Sequence, residues 1–70
     1  SEKSGKVVVD ISVDQGGNVI KAVAGGRGTT VQDAELFRQA ESAAKKAKFN
    51  PDNSSPEKQI GTITYNFIRR

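Results

Sequence analysis

The sequence predicts a small α+β domain in which two strands, a helix and a third strand follow one another. Three observations predict it. Lys6–Asp14 and Gln59–Ile68 alternate in the period of two that marks a half-buried strand. Between them, Leu36, Phe37, Ala40, Ala43, Ala44 and Ala47 recur at the spacing of one helix face. A glycine pair, Gly16-Gly17, sits where the first strand must turn back into a second.

Composition narrows the function classes. The 70 residues make one domain or part of one, and a core of that size supplies only about 3–5 kcal/mol of net stability. Cysteine, histidine, methionine and tryptophan are absent. The chain therefore lacks the commonest general base, the commonest transition-metal ligands and every Cys or Ser-His nucleophile system. Asp10, Asp14, Asp33 and Asp52 show no paired spacing and no base accompanies them. No enzyme, cofactor or metal is expected on that basis. The missing cysteines fit an oxidising compartment and fit chance in a short chain equally well. The formal charge is +3 and the basic residues are spread out. The aromatic residues Phe37, Phe49, Tyr65 and Phe67 are mostly needed for a core, so nucleic-acid binding is not expected. No stretch approaches the roughly 18 apolar residues of a membrane span, and no signal peptide is visible. Ser1 to Ser4 are polar and expected to fray, and this start reads as part of something longer.

Taken in order, Gly5 opens a strand over Lys6–Asp14 whose core face carries Val7, Val9, Ile11 and Val13. Gln15-Gly16-Gly17-Asn18 is a hairpin turn, because glycine supplies the positive φ that tight turns require. The second strand is Val19–Ala24. A two-residue loop sets Val13 opposite Ile20, Ile11 opposite Ala22 and Val9 opposite Ala24, with Ser12 facing Lys21. A three-residue loop would bury Lys21 unpaired, so the first register is preferred. It leaves Val8, Val19 and Val23 as an apolar patch on the outer face. Gly25-Gly26-Arg27-Gly28-Thr29-Thr30 invites an anion-binding reading. It lacks the spacing of the phosphate-binding motifs and follows a hairpin strand, so a sharp structural turn is preferred.

A helix begins between Thr30 and Asp33. Thr30 and Asp33 have capping-box spacing, and Asp33 is itself a good N-cap. Asp33 and Glu35 in the first turn, and Lys45, Lys46 and Lys48 in the last, complement the helix dipole. Arg38, Gln39, Glu41, Ser42 and Lys45 form the wet face. The basic end reads better as a solvated helix terminus than as a membrane or nucleic-acid patch. Phe49-Asn50-Pro51 stops the helix, with Phe49 expected to tuck back into the core. A polar loop, Asp52–Glu57, leads to a last strand from about Lys58 to Arg69. Gly61, Ile63, Tyr65 and Phe67 share one of its faces, and Thr62, Thr64 and Asn66 the other.

A right-handed crossover through the helix sets the last strand beside the first, giving a three-stranded antiparallel or mixed sheet of order 2-1-3 with the helix on one face. The last strand then lies at an edge. It has no proline after Pro56 and only terminal charges, Lys58 and Arg69-Arg70, whereas natural sheets usually blunt such an edge. Its free backbone groups suit the addition of a partner's strand. The candidate partner-binding residues are Gln59, Ile60, Gly61, Thr62, Ile63, Thr64, Tyr65, Asn66, Phe67 and Ile68.

These residues resemble a known family. Gly5-Lys6-Val7-Val8-Val9, then Val13-Asp14 with Gly17-Asn18-Val19, resembles the opening hairpin of the TonB C-terminal domain. Gly25-Gly26-Arg27-Gly28-Thr29, the alanine-rich helix and Phe49-Asn50-Pro51 resemble the family's glycine loop, helix and Phe-x-Pro close. Gly61–Phe67 resembles its last core strand. The likeness runs from Gly5 to Ile68 and rests on the order and spacing of the motifs together. It implies a periplasmic domain of an inner-membrane-anchored energy transducer in a Gram-negative envelope. An ExbB–ExbD motor would drive it through an upstream membrane helix and a Pro-rich linker. Its partner would be the TonB box of outer-membrane active transporters, an extended segment that adds to the edge matching Gln59–Ile68. The family's Tyr-Pro segment and the helix leading into its first strand would lie upstream of Gly5. Two alternatives share the fold: a TonB-like module appended to a membrane protein such as a sensor metallopeptidase, and a TolA-like envelope protein. The free edge also suits a second copy of the chain, as a strand-exchanged homodimer.

Overall fold

A computed structural model describes residues 4–68. Strand β1 (Gly5–Asp14), strand β2 (Val19–Ala24), helix α1 (Ala34–Lys46) and strand β3 (Lys58–Phe67) follow in that order. The sheet is fully antiparallel with strand order β2-β1-β3. The fold is therefore the expected α+β arrangement, with the most apolar strand at the centre. The expected Arg69 end of the last strand lies outside the described residues.

Alternation in β1 decides the core. Val7 and Val9 are fully buried, and Ile11 is nearly so. Burying one such aliphatic side chain contributes about 1.5–3 kcal/mol. Leu36, Ala40 and Ala44 present the buried stripe of α1 to this face, and Val31 closes it from the loop before the helix. The small alanines bring α1 down onto β2 and β1, and it touches β3 only slightly. Ala43, expected in the stripe, is exposed. The helix starts at the Asp33 cap, whose carboxylate accepts from the N–H groups of Glu35 and Leu36 at 2.9 and 3.1 Å. Thr30 does not cap it. Its hydroxyl instead accepts from the Lys6 N–H, and its own N–H donates to the Lys6 carbonyl. Among the described residues no helix is long and apolar enough to cross a membrane.

The hairpin register is mostly the expected one, with a correction at its closed end. Val9 faces Ala24, Ile11 faces Ala22 and Ser12 faces Lys21, but Val13 faces Val19 across an irregularity in the ladder. The extra residue is Ile20. A bulge of this kind lets two residues oppose one and rotates the strand locally. Val19 consequently packs against the core, while Ile20 is 56% exposed. The outer patch shrinks further because Val8 is buried. Beyond Ala24 the chain continues along β1: the N–H groups of Gly25 and Gly26 donate to the Val8 carbonyl, and the Val8 N–H donates to the Thr29 hydroxyl. The N–H groups of Gly25, Gly26, Thr29 and Thr30 are thus spent on the fold, and Gly28 lies against Val8. Of the expected patch, Val23 alone is exposed.

Two more expectations are corrected by backbone geometry. Glu41 is half-buried rather than on the wet face, because its carboxylate accepts from the Ala24 N–H at 2.8 Å and finishes the end of β2. Phe49 is 44% exposed instead of tucked into the core. Its N–H donates to the Gly17 carbonyl at 2.9 Å, and Lys48 bridges to Asn18 beside it. The chain leaving the helix therefore lies along the hairpin turn, and that pairing sets where the ring goes. Lys48, which falls beyond the helix, also donates from Nζ to Asn18 Oδ1.

Candidate functional site

The candidate residues Gln59 to Phe67 all lie in β3, and Ile68 lies just past its end, 71% exposed. Pairing with β1 is unbroken, from Asp14 opposite Lys58 to Gly5 opposite Phe67. Backbone direction along β3 follows from β1. The even-numbered residues Lys6, Val8 and Asp14 aim their N–H and C=O groups at the hairpin side of the sheet. Backbone groups alternate sides along a strand. The odd residues of β1 therefore bond to β3, through Gln59, Gly61, Ile63, Tyr65 and Phe67. What remains for the free edge is the backbone of Ile60, Thr62, Thr64 and Asn66. Among the described residues no element lies on that side of β3.

The side chains divide in the same rhythm. Thr62, Thr64 and Asn66 are exposed on the face away from the helix, whereas Gly61, Ile63, Tyr65 and Phe67 are half-buried on the helix side. That face is only half covered because α1 leans toward β2. Gln59 and Ile60 are exposed, Ile60 by 81%. The ten residues thus form one continuous element that offers unpaired backbone outward and a partly open apolar row inward.

A cavity of about 230 Å³ opens at the start of this edge. Ile11 and Val13 of β1, the Gln59–Thr62 segment of β3, and Phe49, Asn50, Asp52 and Ser55 of the connecting loop line it. The loop's part in the site was missed in the sequence, where Phe49-Asn50-Pro51 reads only as a helix stop. The available signal was Gly61, since a glycine inside an alternating strand marks open space or close approach.

Hydrogen bonds hold the loop wall in place. The Asp52 N–H donates to the Gln15 carbonyl at 2.9 Å, and Gln15 Nε2 donates to the Ser55 carbonyl at 2.7 Å. Asp52 Oδ1 accepts from the Ser54 hydroxyl at 2.6 Å and from its N–H at 3.0 Å. Asp14 Oδ1 accepts from the Asn18 N–H at 2.8 Å. The Asn18 backbone bond holds the Asp14 carboxyl below its ordinary value, and the Ser54 hydroxyl and then its N–H do the same for Asp52. A carboxyl whose folded value is lowered favours the fold above the ordinary carboxylate range, and that contribution is lost as pH falls through the lowered value. Acidification from about pH 5 toward pH 2 is expected to loosen this wall before the sheet. The amide resonances of Asn18 and Ser54 would move first; movement of the Val7 and Val9 amides in the core of β1 at the same pH would refute it.

Compared with known protein families, curated proteins and solved structures, the chain has no significant match to any of them.

Proposed function

We propose that this domain is the partner-binding part of a TonB-type periplasmic energy transducer, and that it holds the TonB box of an outer-membrane transporter as an added strand on β3. The observation that carries the reading is the unblunted edge. Ile60, Thr62, Thr64 and Asn66 turn their backbone groups outward from a regular edge strand, a feature natural sheets normally suppress with proline, charge or a bulge. The ordered likeness of the hairpin, glycine loop, Phe49-Asn50-Pro51 close and final strand to that family supplies the partner class. Force from an ExbB–ExbD motor would reach the domain through an upstream membrane helix.

The mechanism is mechanical. Each backbone hydrogen bond to an added strand contributes about 0.5–1.5 kcal/mol net, against about 4 kcal/mol or more for the lost freedom of association. Main-chain bonds alone leave a weak complex, and alternate side chains seated in pockets bring the expected affinity to the micromolar range. Tension directed along the strand loads those bonds together, so a modest affinity still transmits a pull.

Titrating the labelled domain with TonB-box peptides from the same cell's transporters tests the reading. Amide shifts running along Gln59–Ile68, largest at the outward residues Ile60, Thr62, Thr64 and Asn66, are expected. A folded, monomeric domain that shows no shift along β3 with any of these peptides would overturn it.

A further inference from the structure

Along the helix side of β3 the row Gln59, Gly61, Ile63, Tyr65, Phe67 has a gap at Gly61. A Cβ built there meets only Ile11 Cγ1, at 3.9 Å. The gap is part of the 230 Å³ cavity at the free edge. In a strand added on that edge, the outward backbones of Ile60 and Thr62 take the hydrogen bonds. The residue directly beside Gly61 then has its side-chain position on the same face of the sheet as Gly61. Its side chain therefore projects over the gap.

The lining says which side chain. Ile11 and Val13 form an apolar floor, and the half-exposed Phe49 ring stands at the wall. Asp14 and Asp52 supply two carboxylates, and among the described residues no lysine or arginine lines the cavity. Asp14 is already served by both Asn18 donors, with Lys48 close by. Asp52 is exposed and takes its bonds from the neighbouring Ser54 and Ser55, with no cation beside it among the described residues. An apolar stem with a cationic end complements floor and mouth together. A guanidinium suits them better than an ammonium, because its plane stacks on an aromatic ring and its fork pairs with a carboxylate.

Resting on the strand-addition reading, we propose that the cavity beside Gly61 takes an arginine side chain of the docking strand, seated over Ile11 and Val13 and paired with Asp52. The site selects among extended segments that the backbone alone would accept equally.

The test is a titration of the labelled domain with short peptides of alternating threonine and valine, identical except for arginine, lysine, leucine, alanine or glutamate at the centre. The arginine peptide is expected to bind about tenfold tighter than the alanine peptide, more tightly than the leucine peptide, and with a margin that shrinks as salt is raised. Asp52→Asn, which keeps an acceptor for Ser54, should remove most of the margin over leucine. Gly61→Val fits the free space and should make all the peptides equivalent. Tightest binding by leucine, or an arginine margin unmoved by Asp52→Asn, overturns the arginine assignment. Equal affinities on the wild-type domain overturn the pocket while strand addition stands. Absence of shifts along β3 with every peptide overturns strand addition and this proposal with it.

Discussion

Gly17→Ala is expected to remove most of the domain's stability. Gly17 is buried with φ +85°, and a Cβ there would collide with the carbonyl of Phe49. The left-handed conformation costs a non-glycine residue about 1–2 kcal/mol. The collision is with backbone, so no rotamer relieves it. Relief requires the turn and the post-helix segment to separate, which breaks the bond from the Phe49 N–H to Gly17 and the bridge between Asn18 and Lys48. Each lost hydrogen bond adds about 0.5–1.5 kcal/mol. A total near 3 kcal/mol takes most of the roughly 3–5 kcal/mol that a core this small provides. Gly16→Ala is the control. Its φ is not positive, and a Cβ there meets only the side-chain tips of Asn18 and Asp14, at 3.1 and 3.4 Å. Urea unfolding of the two variants should place Gly16→Ala within about 0.5 kcal/mol of wild type. Comparable losses in both would show that the contact between the turn and Phe49 contributes little.

Thr62→Pro and Thr64→Pro are each expected to remove partner binding while the sheet stays intact. Both residues aim their N–H groups away from β1, so the proline ring takes away no hydrogen bond of the domain. It does remove a donor from the free edge and puts a ring where the partner's carbonyl must approach. One lost bond in a micromolar complex, together with that obstruction, carries affinity beyond the millimolar range. Thr64→Ala separates backbone from side chain: strand addition through main-chain groups predicts little change. Proline variants that keep the β1 and core resonances of the wild type and still bind would refute docking on this edge.

Much of the fold was legible because its elements repeat one instruction. Val7, Val9 and Ile11 alternate with Lys6, Asp10 and Ser12, and the sheet obeys them. Asp33 caps as its side chain dictates. The edge position of Gln59–Ile68 followed from how a helix crosses back over a hairpin. What escaped sequence reasoning was decided by backbone pairing between distant segments. Ile20 is indistinguishable from Val19 in hydropathy, and only the bulge determines which of them faces the core. Val8 reads as exposed until the glycine loop is seen bonding to β1 past the end of β2. Glu41 has the composition of a wet face, yet its length lets it reach the Ala24 N–H. Phe49 reads as core, but its N–H is committed to Gly17 and its ring is left at the surface. For the candidate site, the strand was legible and the cavity wall was not, because the wall is assembled by Gln15 and Asp52, which lie far apart in the sequence.

The central strand pairs with both ends of the chain's history. Its partner β2 follows after one tight turn, whereas β3 returns only after the loop, the helix and a second loop. Loop closure weighs on a contact according to the chain it must close. Chain closure therefore favours assembly of the hairpin and helix before β3. The outward-facing row from Ile60 to Asn66 has no fixed shape until that final step, and in an incompletely folded molecule the same step can unzip first. Competence to engage a partner is thereby a report on completed folding: a chain still emerging, or one cut short before Phe67, carries the residues of the edge without the edge itself.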